Sequence, residues 1–108
     1  MITWQQIEQL AQSTPGLEVL RVEKLVIRRD GRDVAWQRPL SKKDMAALGA
    51  SAPKGEVLAV HVDDLGVKEA WLAAEPGTLF TTPHFDNYPA VLVDLELANI
   101  ELLRELID

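Results

Sequence analysis

The segment Thr81-Thr82-Pro83-His84-Phe85-Asp86-Asn87-Tyr88-Pro89-Ala90-Val91-Leu92-Val93 brings together a histidine, a carboxylate, two aromatic rings and two prolines, then runs into a β-branched apolar stretch. His84 and Asp86 lie two apart, so extended backbone would turn both to one side. There the carboxylate could orient the imidazole as a general base. The same residues also make a bracing turn with no chemistry in it. Pro83 and Pro89 stiffen the chain, Phe85 and Tyr88 pack over a sheet, and Asp86-Asn87 closes the turn through side-chain hydrogen bonds. No nucleophile or phosphate loop accompanies the pair, and Ser13, Ser41 and Ser51 lack a nucleophile-elbow context. The reading is therefore not an enzyme, with no catalytic residue assigned. His84, Phe85, Asp86 and Tyr88, together with Trp36, remain a candidate ligand-binding set in which the rings line a pocket and His84 is the polar anchor.

No metal or cofactor is expected. His61 and His84 are the only histidines and stand in no helical ligand spacing, and the chain has no cysteine. Asp63-Asp64 beside His61 could supply oxygens, but two aspartates ahead of an apolar run more simply cap a helix.

A second constellation is basic. The net charge of −6 argues against a polyanionic partner until the charge is located. Between Arg21 and Lys43 lie Arg21, Lys24, Arg28, Arg29, Arg32, Arg38, Lys42 and Lys43 against only Glu23, Asp30 and Asp33, so this stretch carries +5 and the rest of the chain −11. Arg28, Arg29, Arg32, Arg38, Lys42 and Lys43 are thus candidate contacts to DNA phosphates, a role that gives affinity with little sequence readout. No aromatic residue is interleaved with Arg28, Arg29 and Arg32, so base stacking on single strands is not expected.

The elements that must hold these residues are legible. Thr3 caps a first helix and Gln6 closes a capping box, with Ile2 and Ile7 at staple positions and Trp4, Ile7, Leu10 and Ala11 on the apolar face. Pro15-Gly16 stops it. Asp30-Gly31 fits a two-residue type I′ turn. Pairing outward from it sets Arg29 against Arg32, Arg28 against Asp33, Ile27 against Val34, Val26 against Ala35 and Leu25 against Trp36. Leu25, Ile27, Val34 and Trp36 then share one face, and Lys24, Val26, Arg28, Asp33, Ala35 and Gln37 the other. Leu17 to Val22 is an earlier strand or an extension of the same one. Ser41 caps a short helix whose first turn holds Asp44 and whose stop is Gly49, with Leu40 and Met45 at staple positions. Val57 to Val62 reads as a strand. Asp63 or Asp64 caps a helix through Ala74, with Asp64 and Lys68 a favourable i,i+4 pair, and Ala90 to Leu95 is a strand. Asn99 caps a last helix with Ile100, Leu103, Leu106 and Ile107 inward. A tight hairpin demands antiparallel pairing, so residues 1–108 are expected to form a single α+β domain with a mainly antiparallel sheet and flanking helices.

The longest apolar run, Ala70 to Ala74, is far short of the roughly 18 residues needed to span a bilayer. The N-terminus shows no secretory pattern, so a cytoplasmic, bacterial-style protein without a membrane role is expected.

The Thr81 to Val93 segment resembles the signature of the MmcQ/YjbR-like proteins. The resemblance extends to Val34-Ala35-Trp36-Gln37-Arg38-Pro39-Leu40, Val62-Asp63-Asp64-Leu65-Gly66-Val67-Lys68-Glu69-Ala70 and Leu102-Leu103-Arg104-Glu105-Leu106. It implies a compact fold akin to the frataxin-like (CyaY) architecture, with projecting hairpins described as a double wing and a DNA-binding label. The wing corresponds to the Arg28–Asp33 tip. Frataxin-style iron binding is not implied, because the first helix offers Glu8 and little other acid. The leading expectation is a binding module that contacts DNA weakly and non-specifically through this wing. The alternative is a protein- or small-ligand-binding domain using the Thr81–Val93 loop. An edge strand beside the hairpin could also pair in a homodimer.

Overall fold

The computed structural model describes residues 1–21 and 23–107; Val22, placed at the end of the first strand by the sequence, and Asp108 lie outside the described residues. Helix α1 (Trp4–Gln12) starts where the Thr3 hydroxyl accepts from the Gln6 amide and the Gln6 side chain accepts from the Thr3 amide. The chain continues as β1 (Leu17–Arg21), β2 (Leu25–Arg29), β3 (Arg32–Gln37), α2 (Lys42–Leu48), a 3₁₀ turn Gly49–Ser51, β4 (Val57–His61), α3 (Leu65–Ala74), β5 (Leu79–Phe80), β6 (Ala90–Asp94) and α4 (Ile100–Ile107). The strands form one antiparallel sheet in the order β1-β2-β3-β4-β6-β5. The fold is α+β, a mainly antiparallel sheet with flanking helices.

The expected caps are present. Asn99 Oδ1 accepts from the Leu102 amide at 2.9 Å, Asp64 Oδ1 from Val67 at 2.8 Å, and Ser41 and Asp44 form a reciprocal box. Of the two alternatives for the segment from Leu17 the structure shows the separate strand, and β5 is a strand the sequence did not announce. Leu17–Arg21 is a separate edge strand paired to β2, and the two-residue β5 closes the other edge. So short an edge offers little to another chain, whereas β1 leaves a five-residue edge.

One face of the sheet carries α1, α3 and α4. Ile7, Leu10 and Ala11 of α1, Leu102, Leu103, Leu106 and Ile107 of α4, and half-buried Val67, Trp71 and Leu72 of α3 pack on Leu25, Ile27, Ala35, Leu58, Val60, Val91 and Val93. Strands β4 and β6 are covered on both faces, because Phe85 lies with Val57, Ala59, Ala90 and Leu92 in a second, smaller core joined by Trp36, Leu40 and Phe80.

The hairpin register differs from the one read outward from its turn. Asp30 and Gly31 have φ of 52° and 78°, as a type I′ turn requires, and Arg29–Arg32 and Arg28–Asp33 pair as expected. Val34 is then an extra residue, so Ile27 pairs with Ala35 and Val26 with Trp36. A slip of one residue exchanges the faces. Ala35, not Trp36, joins Ile27 under the helices, and Trp36 shares the opposite face with Val26. Directly opposed residues point the same way, so a single apolar row, Leu20, Val26, Trp36, Ala59, Leu92 and Phe80, crosses all the strands on this second face. The loop before β6 covers only its β4-β6-β5 half. Leu20 and Val26 are half-buried and belong to neither core.

Candidate functional site

The loop Thr81–Pro89 folds back over the β4-β6 half of the open face through successive turns, with the Phe85 amide donating to the Thr82 carbonyl and the Tyr88 amide to the Phe85 carbonyl, both at 2.9 Å. Its two rings separate in role. Phe85 is 6% exposed and roofs the small core, while Tyr88 is 45% exposed. The rings meet edge to face, with centroids 5.9 Å apart.

A buried cation pins this loop. Lys68 of α3 is 3% exposed, and its ammonium donates to the carbonyls of Phe85 and, at 2.9 Å, Tyr88. Burial holds its pKa below the usual lysine value, with Asp86 opposing that shift. The i,i+4 pair with Asp64 expected from the sequence is replaced by this arrangement, because Asp64 is occupied in capping α3 and the lysine turns inward.

A second knot fastens the loop to α2. The Arg38 guanidinium lies 5.3 Å from the Phe85 ring centroid and 3.5 Å from Asp44 Oδ2, and His84 meets Phe85 edge-on at 5.4 Å. Asp44 is buried and accepts from the Ser41 amide at 3.1 Å. That backbone donor is the largest cause of its lowered pKa; burial opposes it, and the Ser41 hydroxyl, Arg38 and His84 reinforce it. His84 is thus turned toward Phe85 and the Asp44 side, while Asp86 accepts from the Thr81 hydroxyl at 3.3 Å. No hydrogen bond joins His84 to Asp86 among the described residues.

The six cations expected at a nucleic-acid surface separate into two groups. Arg28 pairs with Asp33 at 2.6 Å, Arg29 is half-buried and donates to the Ile107 carbonyl at the end of α4 at 3.5 Å, and Arg38 is held by Asp44. Arg32, Lys42 and Lys43 are exposed with no carboxylate within 4 Å among the described residues. Arg29 links the base of the hairpin tip to α4, while Asp30, Gly31, Arg32 and Asp33 are exposed. The broad groove of about 960 Å³ beneath it gathers Arg28, Arg29 and Arg32 with Asp30, Asp33 and Asp63, which cancel formally, beside His61 and Tyr88.

The ligand-binding set also divides. Trp36 and Tyr88 line an open groove of about 440 Å³ on the uncovered half of the sheet, with Val26 in its floor and Lys24, Asp33, Gln37 and Arg38 around it. Phe85 lies behind this groove in the small core, and neither His84 nor Asp86 lines it. Lys24 is the member missing from the sequence-derived set. The alternation already put it on the face of Val26 and Arg28, but only the bulge brings an indole to that face.

No helix among the described residues is long and apolar enough to cross a membrane. No family model matches the chain, and no solved structure matches it. The chain is 45% identical over 111 residues to "Uncharacterized protein Rv2570" of Mycobacterium tuberculosis (strain ATCC 25618 / H37Rv), an alignment covering 99% of this chain and 84% of that protein. "Uncharacterized protein Mb2600" of Mycobacterium bovis matches to the same extent. At that identity and coverage, the chain belongs to the family of these uncharacterised mycobacterial proteins.

Proposed function

We propose that this protein is a non-catalytic binding module whose working surface is the uncovered half of its sheet, centred on the groove between Trp36 and Tyr88. The observation that carries this reading is the treatment of the two halves of one apolar row. The half at Ala59, Leu92 and Phe80 is roofed by Phe85, whereas the half at Leu20 and Val26 is left open, with half-buried Trp36 at the boundary beside an exposed tyrosine. An aromatic-lined groove with a few polar groups at its rim is the ordinary form of a ligand site. The structural duties of His84 and Asp86 favour binding over chemistry.

Amide-resolved NMR titration with a mixture of small aromatic acids, aromatic amines and neutral aromatics tests it. Shifts should concentrate at residues 24–26, 36–38 and 88. Shifts scattered over the surface, or none at millimolar ligand, would overturn the reading.

A second reading, contact with DNA phosphates, is favoured by the exposed Arg32, Lys42 and Lys43 and by the resemblance to MmcQ/YjbR-like proteins. If those three cations each neutralise a phosphate, the slope of log affinity against log salt should be about −3. Amides 28–32 and 42–43 that stay unmoved in excess short duplex DNA at low salt would exclude this reading.

A further inference from the structure

Resting on the groove reading, we infer that the ligand of the Trp36–Tyr88 groove is a planar aromatic or conjugated ring bearing an anionic group, a carboxylate or a phosphate ester. The ring is specified by the floor and wall. Val26 and Trp36 are direct cross-strand partners on the open face, so the floor is an aliphatic patch continuous with an indole, and Tyr88 stands against it. Flat apolar groups stack on such surfaces, and a ring loses little conformational freedom on binding.

The charge is specified by what lines the rest of the groove. Its ionisable residues besides Tyr88 are Lys24, Arg38 and Asp33. Asp33 is matched by Arg28 at 2.6 Å, which leaves its charge offset at the groove edge. Arg38 donates to the Pro39 carbonyl, lies over the Phe85 ring and is paired with Asp44, which offsets its charge as Arg28 does that of Asp33. Lys24 is exposed with no carboxylate within 4 Å among the described residues. A ligand cation would meet an unmatched ammonium, and a neutral ring would leave that ammonium unused, since the Arg38 charge is already offset by Asp44. An anion pairs with Lys24.

The groove holds one such ligand. At about 440 Å³ it lies in the range of small-molecule sites of roughly 300–1,000 Å³ and is too small for a folded partner. Being open on one side, it should bind a bare ring acid weakly, with Kd on the order of 1 mM for a ligand the size of naphthalene-2-carboxylate.

Four measurements on the full chain test the inference: NMR titrations with naphthalene-2-carboxylate, with its neutral amide and with inorganic phosphate, and the carboxylate titration repeated on Lys24→Gln. The carboxylate should move the Trp36 indole N–H and the amides of residues 24–26, 36–38 and 88, and bind at least about five-fold more tightly than the amide. Lys24→Gln, an exposed substitution that leaves the core intact, should bring the carboxylate down to the level of the amide. Phosphate alone should leave the Trp36 indole unmoved. Equal binding of carboxylate and amide at these residues would overturn the charge assignment while leaving the groove reading standing. Phosphate producing the same shifts would overturn the ring assignment. Absence of any shift at Trp36 with both ring ligands would overturn the inference and the groove reading together.

Discussion

Replacing Lys68 with methionine isolates the pin that holds the loop over the sheet. Methionine keeps most of the stem volume of this nearly buried side chain, so the change removes the ammonium and little packing. Two charge-assisted hydrogen bonds are lost, to the carbonyls of Phe85 and Tyr88. Neither carbonyl is orphaned, because each keeps a backbone donor, the Tyr88 amide at 2.9 Å and the Ala90 amide at 2.8 Å. The loss therefore lies at the low end for such bonds, about 1.5 kcal/mol each. Against it stands the relief of no longer burying a cation, a penalty of several kcal/mol that is mostly contained in those net bond values already, which leaves about 1 kcal/mol at this mixed polar site. The net expectation is a destabilisation of about 2 kcal/mol, read as a fall in the urea midpoint of about 1–2 M, or in Tm of roughly 10 °C. Hydrogen exchange should quicken at Phe85, Tyr88 and Ala90 before it does in β4.

The pH dependence has a definite sign. Burial lowers the folded-state pKa of Lys68 below the unfolded value of 10.5, so between the two values the unfolded chain binds more protons. Stability contributed by this residue must then rise with pH through that window. The gap between wild type and Lys68→Met should accordingly widen as pH climbs toward 10.5. A variant as stable as wild type, with unchanged protection of the loop amides, would refute the assignment of Lys68 as the pin.

Phe85→Ala should destabilise by about 3–5 kcal/mol in urea unfolding, because a ring that is 6% exposed leaves a cavity over β4 and β6, whereas Tyr88→Ala should lose less than about 1 kcal/mol. Asp44→Asn should remove an acid-sensitive increment. The wild-type carboxylate has a lowered folded pKa, so its contribution is present above the unfolded 3.8 and disappears as pH falls through the folded value, and an acid titration by circular dichroism should be shallower in the variant. Gly31→Ala forces a side chain onto a φ of 78° and should cost about 1 kcal/mol or more, with the first exchange broadening at the hairpin amides. Ala35→Leu should destabilise by about 1–3 kcal/mol in thermal unfolding, since its site under the helices is closed.

That last substitution bears on why the fold was legible in the sequence and the groove was not. Helix caps rest on one or two local side chains, so Thr3, Ser41, Asp64 and Asn99 announced their helices directly. The Asp30-Gly31 turn likewise fixed the tip pairing. Beyond the tip, the register depends on what fits beneath the helices rather than on the turn. The helix-side position opposite Ile27 and Val60 lies within a closed core, and Ala35 fills it with no exposure. An indole there would overpack the site by many atoms. Absorbing Val34 as a bulge satisfies the turn and the core together, at the loss of one regular ladder position. No glycine marks the bulge, so a count outward from the turn passes straight over it. Lys68 was hidden for a related reason: its partners are backbone carbonyls distant in sequence, whereas Asp64 four residues earlier offered a ready local explanation. The bulge decides more than hairpin geometry. With the unbulged register Trp36 would lie beneath the helices and the open face would carry Ala35 in its place. The aromatic floor, and with it any stacking site beside Lys24, exists because the core admits alanine but not tryptophan.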